Sequence, residues 1–136
     1  MPSQFKKVTE NFWVSPQLLE EHVQAAADAD FHTIVNNRPD GEEAGQPTGA
    51  QVEAWARARG LAYVALPVSG QINRELVEAM GNAVADARKP VLAFCRSGMR
   101  SISLWAMAES LAGRRVKEDL LERGEAAGYD LSRIPI

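Results

Sequence analysis

The chain has 136 residues, of which 46% are hydrophobic and 24% charged, with a formal net charge of −3. Such a chain folds as an ordinary globular domain and buries about two-thirds of its unfolded surface. The basic residues are dispersed and no apolar run approaches membrane-spanning length, which argues against nucleic acid or a membrane as partner. A single cysteine excludes an internal disulfide and a cysteine-rich metal site, and fits a reducing cytoplasm. The segment Met1–Lys7 has no apolar core of signal-peptide length.

In chain order, short β-type runs alternate with amphipathic stretches. Phe12-Trp13-Val14 predicts a first strand. Ser15-Pro16 predicts a helix start, Ser as N-cap and Pro in the first position, with Leu18, Leu19, Val23, Ala26 and Ala27 as the apolar face. The β-branched run His32–Asn36 reads as a second strand, followed by a loop, Asn37 to Glu43, that contains the turn sequence Pro39-Asp40-Gly41. Thr48 to Gln51 has the form of a capping box for a helix that Gly60 ends. Ala62–Val68 predicts a third strand, and Asn73 caps a helix that Lys89-Pro90 breaks. Val91–Phe94 is a continuous apolar run, the pattern of a buried parallel strand. A helix from Ile102 is apolar on more than one face, and a last helix from Glu118 to Ala127 stops at Gly128. This alternation predicts an α/β fold, a small and mostly parallel sheet flanked by helices.

The chemistry concentrates where the fourth strand ends. Cys95-Arg96-Ser97-Gly98-Met99-Arg100-Ser101 joins that strand to a helix. Strand, tight turn and helix start together converge backbone N–H groups on one point, an anion cradle that needs no metal. The same field favours a thiolate, so Cys95 is expected to ionise more readily than free cysteine. Arg100 contributes a planar, permanently charged fork that matches an oxyanion. A lone cysteine is usually a small core residue, but neighbours such as Arg96, Ser97 and Arg100 are poor core material.

Four segments together, Val14–Leu18, Asn37–Glu42, Tyr63–Val68 and Cys95–Ser101, closely resemble the β-lactamase-hydrolase-like, phosphatase-like domain family, in collinear order from Phe5 to Leu111. The resemblance implies one phosphatase-like domain over residues 1–136, a compact relative of the tyrosine and dual-specificity phosphatases, some members being labelled sulfur transferases. It implies Cys95 as nucleophile, Arg100 as oxyanion clamp, and Ser101 as the hydroxyl that helps the thiolate leave. Ser97, Gly98 and Met99 would supply cradle amides. Independently of the resemblance, Arg96 in the loop and Arg38 are candidate anion-binding cations.

The sequence departs from the phosphatase pattern in three ways. Only four residues, Arg96 to Met99, separate cysteine from arginine where dual-specificity phosphatases have five. Phe94 stands where a histidine is usual, and Leu66–Gln71, the segment that should carry the general acid, has no carboxylate. Asp40, with Glu42 and Glu43 behind it, is then the candidate proton donor, against a plain turn role for Pro39-Asp40-Gly41. Arg38 is either a second cation at the cradle or a solvated loop residue. The short loop looks like that of rhodaneses, whose ring suits a persulfide.

Three functions therefore stay open: a cysteine-dependent phosphatase acting on a small anionic or phosphorylated substrate; a sulfurtransferase that passes sulfur to a thiol acceptor; and a non-catalytic anion-binding module. None calls for a metal or cofactor. His22 and His32 read as surface or strand-end residues, Trp13, Trp55 and Trp105 as core, and Arg114-Arg115 as a solvated face.

Overall fold

A computed structural model describes all residues, Met1–Ile136. One five-stranded sheet organises it, in the order β1-β2-β5-β3-β4: β1 (Lys6–Lys7), β2 (Phe12–Ser15), β3 (Thr33–Asn36), β4 (Ala62–Ala65) and β5 (Val91–Phe94). All neighbours pair parallel except β1, an antiparallel edge too short to announce itself in the sequence. β5 is the central strand, and all four of its residues are buried, as its unbroken apolar run requires.

Alternate residues of the strands face opposite cores, the period of two that a pleated strand imposes. Ile34, Leu92 and Phe94 pack with Leu18, Val23, Val52 and Ala56 beneath α1 (Glu20–Asp28) and α2 (Gly49–Ala58). Val14, Val35, Val91 and Ala93 pack on the other side against α3 (Arg74–Asp86), α4 (Met99–Leu111) and α5 (Lys117–Ala127). α4 is buried almost all round, including Ile102, Leu104 and Trp105. Trp105 stacks on Phe12 with ring centroids 5.5 Å apart, and the Arg115 guanidinium lies over the Trp105 ring, 5.7 Å from its centroid, while pairing with Glu109 and Asp119. Arg115 is therefore a packed side chain rather than part of a solvated face. Trp13 and Trp55 are only half-buried, at the margin of the first core.

Several helix ends follow their local chemistry. The Thr48 hydroxyl accepts from the Gln51 N–H, Gln51 returns the bond to the Thr48 N–H, and Asn73 accepts from Leu76. The predicted start at Ser15-Pro16 is wrong. Ser15 closes β2, its hydroxyl donates to the Pro16 carbonyl, and α1 begins at Glu20 behind Leu19, whose N–H donates to His22 Nδ1. The intervening residues are committed elsewhere: Leu18 is fully buried, and the Gln17 N–H donates to the Arg96 carbonyl at 3.3 Å. The third strand also stops at Ala65, although the Leu66 and Val68 amides still reach the Asn36 and Asn37 carbonyls.

Leu92 is fully buried at the centre of the sheet. Leu92→Ala is expected to cost about 2–5 kcal/mol of stability, through lost burial plus the cavity left behind; a urea titration of both chains measures it.

Candidate active site

The carboxyl ends of β2, β5 and β3 converge, and the Cys95 loop leaves from the middle one. Open α/β sheets bind ligands at such ends. Cys95 N–H donates to the Ser15 carbonyl at 3.4 Å, tying the loop's first residue to β2, and Asn37 N–H donates to the Phe94 carbonyl at 2.8 Å on the other side. Cys95 itself has no exposed surface. Its sulfur accepts from the Gly98 N–H at 3.1 Å.

The backbone of the loop carries an excess of donors. The N–H groups of Arg96, Ser97, Arg100 and Ser101 have no acceptor in the chain, and that of Met99 has only the Ser97 hydroxyl, at 3.2 Å. The first N–H groups of any helix lack intrahelical partners, and here the preceding turn adds its own. The Ser101 hydroxyl is buried and likewise without a partner. Unanswered donors in the loop that follows Cys95, at a helix N-terminus, make an environment for negative charge.

Arg100 is oriented by two acceptors. Glu42 takes its Nη1 and Nη2 groups end-on, both at 2.8 Å, and the Val68 carbonyl takes a further Nη1 proton at 2.9 Å. Three of its five N–H bonds are thereby used. The Nε–H and the remaining Nη2–H, the side-on edge of the fork, stay free for an oxyanion. Val68 is held in turn by its N–H to the Asn37 carbonyl, at 2.9 Å. The Glu42 bond, together with the nearby charge of Cys95, raises Arg100 further above its ordinary pKa against the opposing effect of burial.

Behind this pair stands Arg38, whose side chain is 1% exposed. Its Nε donates to Glu42 at 2.8 Å, Nη1 to Gln17 at 2.9 Å and Nη2 to Glu43 at 3.0 Å. Arg38 is thus neither a solvated loop residue nor a free cation: it anchors the carboxylates. Arg96 is largely exposed and pairs loosely with Glu43, at 3.6 Å. Asp40 turns away from the cradle. Its Oδ1 accepts from the Gly49 N–H at 2.7 Å, pinning the loop to the start of α2, and it shares a cleft with Asn36 and Tyr63. No three His, Cys, Asp or Glu side chains converge as a metal site would require.

Sequence reasoning named the loop, Arg38 and Arg100, but set Glu42 behind Asp40 and passed over Tyr129. The Tyr129 hydroxyl donates to the Ser97 carbonyl at 2.8 Å. Neither contact has a local signature, because 58 residues separate Glu42 from Arg100 and 32 separate Tyr129 from Ser97.

The sheet and its flanking helices make the α/β fold of the tyrosine and dual-specificity phosphatases. Residues 4–112 match the family described as beta-lactamase hydrolase-like protein, phosphatase-like domain, and the chain belongs to that family. The Beta-lactamase hydrolase-like protein of Agrobacterium fabrum is 34% identical over 126 residues, covering 92% of this chain and 29% of its own length. Its counterpart from Xylella fastidiosa (strain Temecula1) is 39% identical over 104 residues, 76% of this chain and 24% of its own. The chain therefore spans about a quarter to a third of these relatives. Among solved structures, a candidate phosphatase from Neisseria meningitidis, nma1982, superposes with a TM-score of 0.87 at 32% identity, covering 96% of this chain and 93% of the other. P. aeruginosa TpbA in complex with pTyr shares the fold, with a TM-score of 0.70 at 17% identity over 93% of this chain and 75% of its own.

Glu42 supplies a pH test of the site. Its hydrogen bonds to Arg100 and then Arg38, opposed by burial, lower its pKa from 4.5 to about 2. The folded chain then binds fewer protons there than the unfolded chain, so this contribution is complete above pH 4.5 and disappears as pH falls toward 2. Glu42→Gln is expected to be less stable at neutral pH and to lose less stability across that acid interval, measured as the urea midpoint against pH.

Proposed function

We propose that the chain is a cysteine-dependent phosphatase-like hydrolase that acts on a phosphorylated substrate through a covalent intermediate on Cys95. What supports this reading is the run of unpartnered N–H groups in the loop that follows Cys95, whose Gly98 N–H reaches the sulfur, together with the side-on edge of Arg100 that its partners leave unused. The Cys95 thiolate attacks phosphorus, and the bond from phosphorus to the leaving oxygen breaks with its electron pair going to that oxygen, which departs as an anion and takes any proton from water. Water then attacks the thiophosphate, releasing inorganic phosphate and restoring the thiolate, to which the Ser101 hydroxyl can donate. The loop amides and Arg100 balance charge on the transferring group, and they are in place before it arrives. TpbA, which shares this fold, binds pTyr, and a phosphate ester is the substrate class we assign here.

The leaving-group proton is the weak point of the arrangement. Asp40 is engaged by Gly49, and Glu42 is held ionised between two arginines. Proton donation by a positioned acid contributes about 10²–10⁴-fold. This chain should therefore favour esters whose leaving group needs no proton, such as activated aryl phosphates. Asp40→Asn tests the remaining candidate, since only a phosphatase that uses it loses rate selectively on poor leaving groups.

One observation favours a second reading. Four residues between Cys95 and Arg100 make a tighter ring than five, and such a ring suits a persulfide. A sulfurtransferase would attack the outer sulfur of thiosulfate, release sulfite, and hand the sulfane sulfur to cyanide or a thiol acceptor. A solely anion-binding module would do neither.

Two assays separate these readings, aryl-phosphate hydrolysis and thiosulfate-to-cyanide transfer. Cys95→Ser is expected to abolish the first. Arg100→Lys is expected to slow hydrolysis about 10²-fold or more, because lysine keeps a charge and loses the fork. For sulfur transfer the same change is expected to cost less than about tenfold, since a point charge serves. Absence of any Cys95-dependent hydrolysis, with a persulfide accumulating on Cys95, overturns the phosphatase reading.

A further inference from the structure

Tyr129 lies outside the residues that match the family, 4–112. It follows α5, which ends at Gly128 with φ at 94°. A left-handed residue there turns the chain back, and the Tyr129 N–H donates to the Gly124 carbonyl at 2.8 Å. The ring is thereby brought to the Cys95 loop, where its hydroxyl donates to the Ser97 carbonyl. Burial, and then the nearby charge of Cys95, raise the phenol above its ordinary pKa, so the hydroxyl keeps its proton through the neutral range.

The Ser97 carbonyl shares one peptide plane with the Gly98 N–H, the group that donates to the Cys95 sulfur. In a trans peptide these two groups point in opposite directions. Holding the carbonyl outward therefore holds the N–H inward. Gly98 has φ 96° and ψ −13°, the values of the third residue of a type II turn. A half-turn of the Ser97–Gly98 peptide leads to type I geometry, which would aim the carbonyl, not the N–H, at the sulfur. Glycine tolerates both conformations, so the residue itself does not choose. A Cβ at Gly98 would collide with the Tyr129 hydroxyl, which shows how closely the two are fitted.

We infer that Tyr129 is a positioning residue of the Cys95 site: its hydroxyl selects the peptide orientation that aims the Gly98 N–H at the sulfur. The inference deepens the proposed function and rests on Cys95 acting as a thiolate. Its test, however, needs no substrate.

Tyr129→Phe keeps the ring and removes the hydroxyl. Because Cys95 is the only cysteine, the ultraviolet thiolate band has one source once the matching Cys95→Ser background is subtracted. The charge on Cys95 acts on Arg100 and Tyr129, and Arg38, Arg96, Glu42 and Glu43 form the ion-pair network beside the loop; of these groups only Tyr129 changes in this variant. Losing a donor to the thiolate disfavours it, so the midpoint of the band is expected to move upward by about one pH unit, a tenfold loss of thiolate below the midpoint. The thermal midpoint is expected to change little. In the unsubstituted chain the Gly98 amide signal, followed by nitrogen-resolved NMR, is expected to titrate together with the thiolate band, and in Tyr129→Phe that response is expected to shrink. A variant whose band and Gly98 signal titrate as in the unsubstituted chain overturns the inference, as does a Gly98 amide insensitive to Cys95 ionisation before any substitution. A chain that hydrolyses no phosphate ester but shows the shifted midpoint keeps the positioning role and loses the phosphatase reading.

Discussion

A guanidinium withdrawn almost completely from water must be paired, and Arg38 meets that requirement with Glu42, Glu43 and Gln17. The consequence reaches the site in front of it. Glu42 is shared with Arg100, so the carboxylate that neutralises the buried cation also fixes the plane of the exposed one. Gln17, the third partner, lies in the segment that props the Arg96 carbonyl. Removing Glu42, Glu43 or Gln17 leaves the buried Arg38 short of a partner, which costs far more than an exposed ion pair returns. The three arginines, 38, 96 and 100, face two glutamates, 42 and 43, so the ensemble keeps one positive charge beside Cys95.

That surplus, added to the unpartnered loop amides, is the electrostatic basis of the anion-binding role proposed for the carboxyl end of β5. Both candidate proton donors are engaged in other bonds. The same bonds that orient Arg100 hold Glu42 ionised. Asp40 serves the loop's attachment to α2. Orientation of the clamp and supply of a proton are thus opposed uses of one carboxylate, and this chain has settled on orientation.

Much of the fold was legible because its signals are local. The unbroken apolar run of β5, the Thr48–Gln51 capping box, the Asn73 cap and the Gly128 stop each occupy a few consecutive residues. The Cys95 loop was legible for the same reason, since strand, glycine turn and helix are contiguous. Ser15-Pro16 misled because a good local cap was overruled: Gln17 and Leu18 are consumed by the loop and the core, and the helix waits for Glu20. β1 was missed because two exposed lysines carry no periodicity. Glu42 and Tyr129 were out of reach for a different reason. The partner of Glu42 is set by how β3 and β5 end side by side, and that of Tyr129 by how the turn after α5 docks on the Cys95 loop, which no spacing along the chain encodes.

The most direct measurement is the chemical state of Cys95 during turnover of an aryl phosphate, by acid quench and mass spectrometry of the peptide that carries it. The account predicts a Cys95 peptide heavier by one phosphoryl group, formed within a turnover, chased away by time, and lost in Arg100→Lys. Phosphate release with Cys95 unmodified throughout, or undiminished release from Cys95→Ser, would contradict it.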